Sequence, residues 1–445
     1  MNPLRVAVVG SGPAGFYAVG ALLGGETPVE VDMFERLPTP WGLVRLGVAP
    51  DHPKLKTVSR AFEKIAERPG FRFLGNVEVG RDIGHADLAR LYDAVVYAVG
   101  AQTDRRLGIP GEDLPGSWPA TEFVAWYNAH PDYETLEFDL DVERAVVVGV
   151  GNVALDVARM LALTPEELAP TDTADAAIAA IAGASIREIV VVGRRGPAQA
   201  AFTTPELSEL GELAGAAVIV DPADLEGAVA TDTNSERNIE VLREFASRAQ
   251  AAKPKRVVLK FFASPVAIHG ADRVESIELV RNVLDENNRA VPTEERETLS
   301  CGIVFRSVGY RGVELPGVPF DDKTGTIPNE GGRVEPGLYV AGWIKRGPSG
   351  VIGTNKKDAA ETIELLLEDA VAGRLPRTDA TAADVDALLD ERDVRRVLYT
   401  GWQSIDEVER SAGEPLGRPR VKLCTWDALL EAASKAAVDV RRASP

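Results

Sequence analysis

The sequence predicts an α/β fold in two domains, each built on a parallel sheet, and three observations carry that prediction. Two glycine-rich turns, each following an apolar strand and opening a helical pattern, stand roughly 140 residues apart. The later strand of each unit ends differently, in Glu35 in one and in Arg194-Arg195 in the other. Two short apolar strands, 94–99 and 302–308, run into glycine where a chain would leave one unit and return to it. A length of 445 residues with 45% apolar composition is enough for two sizeable cores and too long for one.

The first unit opens on the strand Leu4–Val9 and the turn Val8-Val9-Gly10-Ser11-Gly12-Pro13-Ala14-Gly15, with a helix expected over 15–23 and a strand over 29–34. Strand, glycine turn and helix in this order form a Rossmann-like dinucleotide site. Gly10, Gly12 and Gly15, with Pro13 and Ala14 between them, let the backbone approach a pyrophosphate, and the helix amides point at its charge. Glu35, about twenty residues after the last glycine, suits a free ribose hydroxyl pair, which favours FAD. The second turn reads Val147-Val148-Gly149-Val150-Gly151-Asn152-Val153-Ala154. Here Gly149, Val150, Gly151 and Asn152 line the phosphate turn, and Ala154 replaces the third glycine while still permitting close helix–strand packing. The strand Glu188–Val192 then leads to Gly193-Arg194-Arg195, two guanidiniums that would pair with a 2′-phosphate, so this site favours NADP(H).

These assignments give a discontinuous FAD-binding domain, 1–103 and 307–445, around an NADP-binding domain, 104–306. The Ala-, Asp-, Thr- and Pro-rich stretch 164–185 reads as an elaborated helix and loop without chemistry of its own. Residues 378–436 show helical periodicity at Val385, Leu388, Leu389, Val394, Val397 and Leu398, and form a helical cover with a tail from about residue 437; a partner-docking surface is the alternative.

Composition removes several function classes. The longest apolar stretches are strand-length, far from the roughly 20 residues that cross a bilayer. The first strand begins at once, leaving no room for a signal peptide, and a cytoplasmic location is expected. Cys301 and Cys424 are the only cysteines, too few and too separate for a redox pair or an iron–sulfur cluster of the chain's own. His52, His85, His130 and His269 lie far apart, so no metal site is expected. A net charge of −19 argues against nucleic-acid binding.

A dense Gly- and Pro-rich run, Trp41-Gly42-Leu43-Val44-Arg45-Leu46-Gly47-Val48-Ala49-Pro50-Asp51-His52-Pro53, follows Glu35. With the second glycine turn through Asp156, with Gly193-Arg194-Arg195-Gly196-Pro197, and with 341–355, which contains Trp343 and Gly347-Pro348-Ser349-Gly350-Val351-Ile352, this run resembles the adrenodoxin-reductase-type ferredoxin–NADP reductases. The blocks span nearly the whole chain, and together they are far more specific than either glycine turn.

The resemblance implies that Ala14, Glu35, Leu43, Val79, Trp343 and the backbone of Gly350, Val351 and Ile352 touch FAD, and that Gly350 also reaches NADP. A Gly-Pro-Ser-Gly turn leading into a helix would in any case present free amides toward negative charge; an ordinary helix start capped by Ser349 or Thr354 is the structural alternative. Glu206 matches a position that contacts the nicotinamide nucleotide, and would otherwise stabilise a helix start after Thr203-Thr204-Pro205. His52 resembles a histidine near the flavin and would pass protons or position the nicotinamide, with a structural loop role as the alternative. Asp156 is a weaker candidate for the electron-exit region.

The implied enzyme takes a hydride from NADPH onto FAD and passes single electrons to a small iron–sulfur ferredoxin, reversibly in principle, as a monomer. Its carrier would dock on basic residues of the largely helical stretch 234–256, where Arg237, Arg243, Arg248, Lys253, Lys255 and Arg256 fall; the resemblance favours Arg237 and Arg243. A solvated helix face explains the same charges. Two other functions fit the motifs: an NADPH-dependent quinone or dye reductase without a protein partner, and a non-catalytic nucleotide-binding module.

Overall fold

A computed structural model describes residues 3–248, 252–350 and 352–443. The chain forms two compact units, Met1–Thr103 with Tyr310–Pro445, and Asp104–Gly309.

In the first unit six strands lie in the order Arg333–Glu335, Leu338–Val340, Ala94–Tyr97, Leu4–Val9, Val29–Glu35, Phe71–Gly75. All neighbours are parallel except the outermost pair, Arg333–Glu335 with Leu338–Val340. The central strand is buried along its whole length because its alternate residues enter two cores, as both-face coverage of a parallel sheet requires. Leu4, Val6 and Val8 pack with Phe16, Val19 and Leu22 of the helix Pro13–Leu22 and with Ile363 and Leu366 of the helix Thr354–Val371. Ala7 and Val9 face the other way, onto Leu88, Leu91 and Ile344.

The C-terminal helices serve both faces. Ala382–Glu391 gives Val385 and Leu389 to one core, whereas Tyr399–Gly413 and Trp426–Ala443 give Trp402, Ile405 and Leu429 to the other. The expected tail from residue 437 is helix instead, because Trp426–Ala443 continues without a breaker. This layer is tied into the glycine-rich run through a buried ion pair. Arg45 donates to Glu409 at 2.8 and 2.5 Å, with side chains 3% and 0% exposed. Trp41 meets Trp402 edge-on at 4.8 Å, and Lys422 donates to the Arg45 carbonyl at 3.1 Å.

In the second unit the parallel order is Ser117–Pro119, Ile303–Arg306, Arg144–Val148, Glu188–Val192, Lys255–Lys260, Ala216–Val220. A separate antiparallel sheet of Ala263–His269, Ser276–Leu284 and Ala290–Ser300, which the sequence pattern did not announce, covers one of its faces. Ile268, Ile277 and Leu279 pack there on Val146, Val148, Val190 and Val192. The stretch 164–185 holds two short helices, Pro165–Leu168 and Asp175–Ala182.

Four expected elements change their bounds. The first helix starts at Pro13 rather than 15, since proline lacks the N–H that a first helical position leaves unused. The strands expected over 94–99 and 302–308 are Ala94–Tyr97 and Ile303–Arg306; their apolar runs outlast their pairing. The basic stretch 234–256 is a helix, Thr233–Ser247, followed by a strand from Lys255, which separates the charges.

Candidate functional site

Both glycine turns are built alike. Gly10 has φ +101, and a Cβ there would meet the Ala98 carbonyl oxygen at 2.6 Å; a Cβ on Gly15 would meet the Gly10 oxygen at 2.0 Å. Gly149 has φ +135, and its Cβ would meet the Ser307 oxygen at 2.0 Å. These glycines are required by the protein's own backbone. Gly12 and Gly151 differ, because a Cβ on either meets nothing within 4 Å. Each is the N-cap of the following helix, Pro13–Leu22 or Asn152–Ala162, and neither helix has a side-chain cap or an acid in its first turn. Two helix N-termini thus keep their donors unused behind an open glycine, as a bound phosphate demands. Ala154 is fully buried beneath the second turn.

The second strands deliver opposite chemistry. Glu35 ends Val29–Glu35 beside the first turn, accepting from the Ser11 amide at 3.1 Å, the Ser11 hydroxyl at 2.6 Å and the Leu37 amide at 3.0 Å. Three bonds leave a carboxylate with acceptor capacity for a ribose hydroxyl. In the second unit Arg194 is exposed and Arg195 half-buried immediately beyond Glu188–Val192, where guanidiniums can pair with a phosphate. The donor sets therefore fit a dinucleotide with free ribose hydroxyls in the first unit and a 2′-phosphorylated one in the second.

Around the first turn, the run from Trp41 binds back through its amide to the Ser11 carbonyl at 3.0 Å. Trp41 takes φ +84 and Gly42 φ +49, and the Gly42 Cβ position lies 2.9 Å from the Gly12 Cα. The Trp41 indole Nε1 is buried without an acceptor among the described residues, the sort of orphan a bound group's oxygen satisfies. Leu43 begins a short helix, Leu43–Leu46, and is 39% exposed; Val79 is half-buried in a one-residue bridge to Ile83. Ala14 contacts the turn at Gly342, whose φ is +78 and whose Cβ would meet the Ala14 Cβ at 2.6 Å.

From that turn Trp343 starts the helix Trp343–Arg346 and donates through its indole to the Ser349 carbonyl at 3.2 Å. Gly350 is exposed with φ +82, and Ile352 packs against the core. Val351 lies outside the described residues. The helix Thr354–Val371 has Gly353 as N-cap, so neither Ser349 nor Thr354 stands at the capping position. Sequence reading missed Asp358, which is 7% exposed and holds this corner by accepting from the Gly342 amide at 2.6 Å and pairing with Lys345 and Arg346 at 3.1 and 3.3 Å. Its only signal was an acid on the helix face that also carries Ala359, Ile363 and Leu366. His52 is the N-cap of the helix Pro53–Lys56 and is half-buried.

Within the second unit the turn reaches further residues. The Asn152 side-chain carbonyl accepts from the Thr203 amide at 2.8 Å, and the Thr203 hydroxyl donates to Glu206 in the first turn of Thr204–Leu210. The Val150 carbonyl accepts from Ala201 and Phe202 at 2.8 and 3.1 Å. Glu206 is thereby fixed to the second turn through Thr203. Asp156 pairs with buried Arg159 at 2.8 Å, one turn along its helix. Gly350, assigned to both nucleotides, belongs to the first unit, whereas the other NADP residues belong to the second.

Of the six basic residues in 234–256, four are engaged. Lys253 and Lys255 donate to the Leu213 and Leu161 carbonyls, Arg256 pairs with Glu188 at 2.6 Å, and Arg248 pairs with Glu244 at 2.7 Å. Arg237 and Arg243 are exposed on the helix Thr233–Ser247. Burial pushes the Cys301 thiol up to about 12, so it is no nucleophile. Among the described residues no His, Cys, Asp and Glu group could hold a metal, and no helix is long and apolar enough to cross a membrane.

Residues 4–190 match the family model for pyridine nucleotide-disulphide oxidoreductases. The chain is 52% identical over 453 residues to the NADPH-ferredoxin reductase FprA of Mycobacterium tuberculosis, covering 97% of this chain and 99% of that one. It is 41% identical over 463 residues to the mitochondrial NADPH:adrenodoxin oxidoreductase of Arabidopsis thaliana, covering 97% and 96%. The solved structure of M. tuberculosis FprA in complex with NADPH superposes with a TM-score of 0.94 at 51% identity, covering 97% of this chain and all of that one.

Proposed function

Because the chain belongs to the family of NADPH–ferredoxin and adrenodoxin-type reductases, we propose that it is an FAD-dependent oxidoreductase carrying electrons from NADPH to a ferredoxin. The observation that supports this reading most directly is the pair of open glycine turns with opposite partners, Glu35 at one and Arg194-Arg195 at the other.

FAD, when bound, supplies the chemistry that joins a two-electron donor to one-electron acceptors. The chain's own residues bind and orient. Gly12 and the N-terminus of Pro13–Leu22 receive the FAD pyrophosphate, Glu35 takes the ribose hydroxyls, and Gly350 and Ile352 supply backbone amides to the flavin. Leu43, Val79 and Trp343 furnish apolar walls. Gly151 and the N-terminus of Asn152–Ala162 receive the NADP pyrophosphate, while Arg194 and Arg195 hold the 2′-phosphate. Glu206 orients the nicotinamide half, kept in place by Thr203. His52 is a proton-handling or positioning residue. Asp156, which pairs with Arg159, is the weaker candidate for the electron-exit region.

The carrier is a small iron–sulfur ferredoxin, and the exposed Arg237 and Arg243 form its contact on the second unit. The protein works as a monomer in the cytoplasm. The test is anaerobic stopped-flow: NADPH should bleach the flavin rapidly, and one of the host's ferredoxins should reoxidise it at a rate that falls with salt. Bleaching with no ferredoxin response would assign a quinone or dye reductase instead, and nucleotide binding without bleaching would assign a non-catalytic module.

A further inference from the structure

The arginine turn is held by the antiparallel sheet beside it, and each of its three carbonyls has a donor there. The Gly193 oxygen accepts from the Ala263 amide at 2.9 Å, and the Arg195 oxygen from the Phe262 amide at 3.0 Å. Between them, the Arg194 oxygen accepts from a side chain, Nδ2 of Asn282, at 2.8 Å. The second hydrogen of that amide goes to the Ser264 hydroxyl at 2.8 Å, so both its donors are used. The Asn282 backbone amide in turn donates to the Phe262 carbonyl at 2.7 Å.

An asparagine 3% exposed inside an antiparallel strand needs a reason, and the strand pairing supplies one. The ladder to Ala263–His269 shifts register between Pro265 and Ala267, and the ladder to Ala290–Ser300 shifts between Val280 and Asn282. Bulges re-aim side chains, and here the re-aimed side chain is the one that captures Arg194. Phe262 pays a strain to take part, with φ +54 in a non-glycine residue. Arg281 lies 5.3 Å over its ring and pairs at 2.9 Å with Asp224, which also accepts from the Phe261 amide at 3.1 Å.

We propose that Asn282 is a positioning residue for nucleotide selectivity: by fixing the Arg194 carbonyl it presents the two guanidiniums already ordered for a 2′-phosphate. The inference rests on the reading of Arg194 and Arg195 as the phosphate site. Without the amide, the Gly193 and Arg195 bonds remain but the Arg194 peptide between them is released, and the cost of ordering it falls on ligands that use the arginines. A residue needed merely for folding would affect all nucleotides alike.

The experiment is calorimetric titration of the FAD-loaded protein with 2′,5′-ADP and with 5′-ADP, for wild type, Arg194→Ala, Asn282→Ala and Ser264→Ala. Asn282→Ala should weaken 2′,5′-ADP about ten-fold and leave 5′-ADP within about two-fold. Ser264→Ala, which only loosens the amide, should shift selectivity the same way by about three-fold, and carries the test if Asn282→Ala does not fold. Equal loss of both ligands, or no loss of either, in these two variants overturns the inference. An Arg194→Ala variant that keeps 2′,5′-ADP affinity overturns the underlying reading instead.

Discussion

Replacing Glu409 with glutamine should loosen the first unit by an amount that can be worked from its contacts. Its carboxylate is fully buried and accepts from Arg45 at 2.8 and 2.5 Å, from Arg420 at 3.1 Å and from the Leu423 amide at 2.9 Å. An amide in its place keeps the shape but leaves the Arg45 guanidinium buried without its counter-charge. Removing one member of such a pair costs about 3–5 kcal/mol. At roughly 2–4 °C per kcal/mol for a unit of this size, the transition should fall by about 6–20 °C at pH 7.5. Near-ultraviolet circular dichroism during heating reports it, since Trp41 and Trp402 meet edge-on beside the pair.

Burial alone would raise the Glu409 carboxyl, but Arg45 and Arg420 prevail and hold it below the usual 4.5. A depressed pKa contributes stability that is fully present above the unfolded-state value and lost as pH falls through the folded-state value. The gap between wild type and Glu409→Gln should therefore be constant above about pH 5 and narrow below the unfolded-state value near 4.5. The double variant Arg45→Met/Glu409→Met removes both charges and should recover much of the loss. A shift under about 2 °C for Glu409→Gln, or a double variant no better than the single one, would refute the reasoning.

The two glycines of the second turn should fail in opposite ways. Gly151→Val, facing open space, should keep the melting temperature within about 2 °C and weaken NADP(H) by about 100-fold or more, as titration would read. Gly149→Ala, with φ +135 and a Cβ 2.0 Å from the Ser307 oxygen, should instead destabilise the second unit by about 3 kcal/mol or more in urea unfolding. Arg194→Ala should raise the apparent constant for NADPH by about ten-fold or more while that for NADH moves little, measured by steady-state dye reduction. Arg237→Glu/Arg243→Glu should slow ferredoxin reduction at low salt and flatten its salt dependence, with NADPH-driven flavin bleaching unchanged in the same stopped-flow trace.

What the sequence made legible was local. Leu4–Val9 and Glu188–Val192 could be bounded because an apolar run meets glycine at the end where each strand stops, and Glu35 and Arg194 could be placed because they follow such strands by counting. The antiparallel sheet stayed hidden: its last strand, Ala290–Ser300, carries Glu294, Glu295, Arg296 and Glu297 in succession, so no alternation marks it. Asn282 and its two register shifts were lost with that sheet. Arg45 and Glu409, 364 residues apart, meet only through the fold, and no spacing rule pairs them. Lys253 and Lys255 show the same limit, since their partners are the distant carbonyls of Leu213 and Leu161.

The order of strands in the first unit also sets a clock. Ala94–Tyr97 has Leu4–Val9 on one side from the start, but its other neighbour, Leu338–Val340, is encoded about 240 residues later. At ribosomal speeds of roughly 5–20 residues per second, that edge waits about 12–50 seconds for its partner while the whole second unit is made. An unpaired apolar edge of Ala94, Val95, Val96 and Tyr97 is adhesive for as long as it stays open. Slow codons within 104–309 would lengthen that wait without changing a single residue.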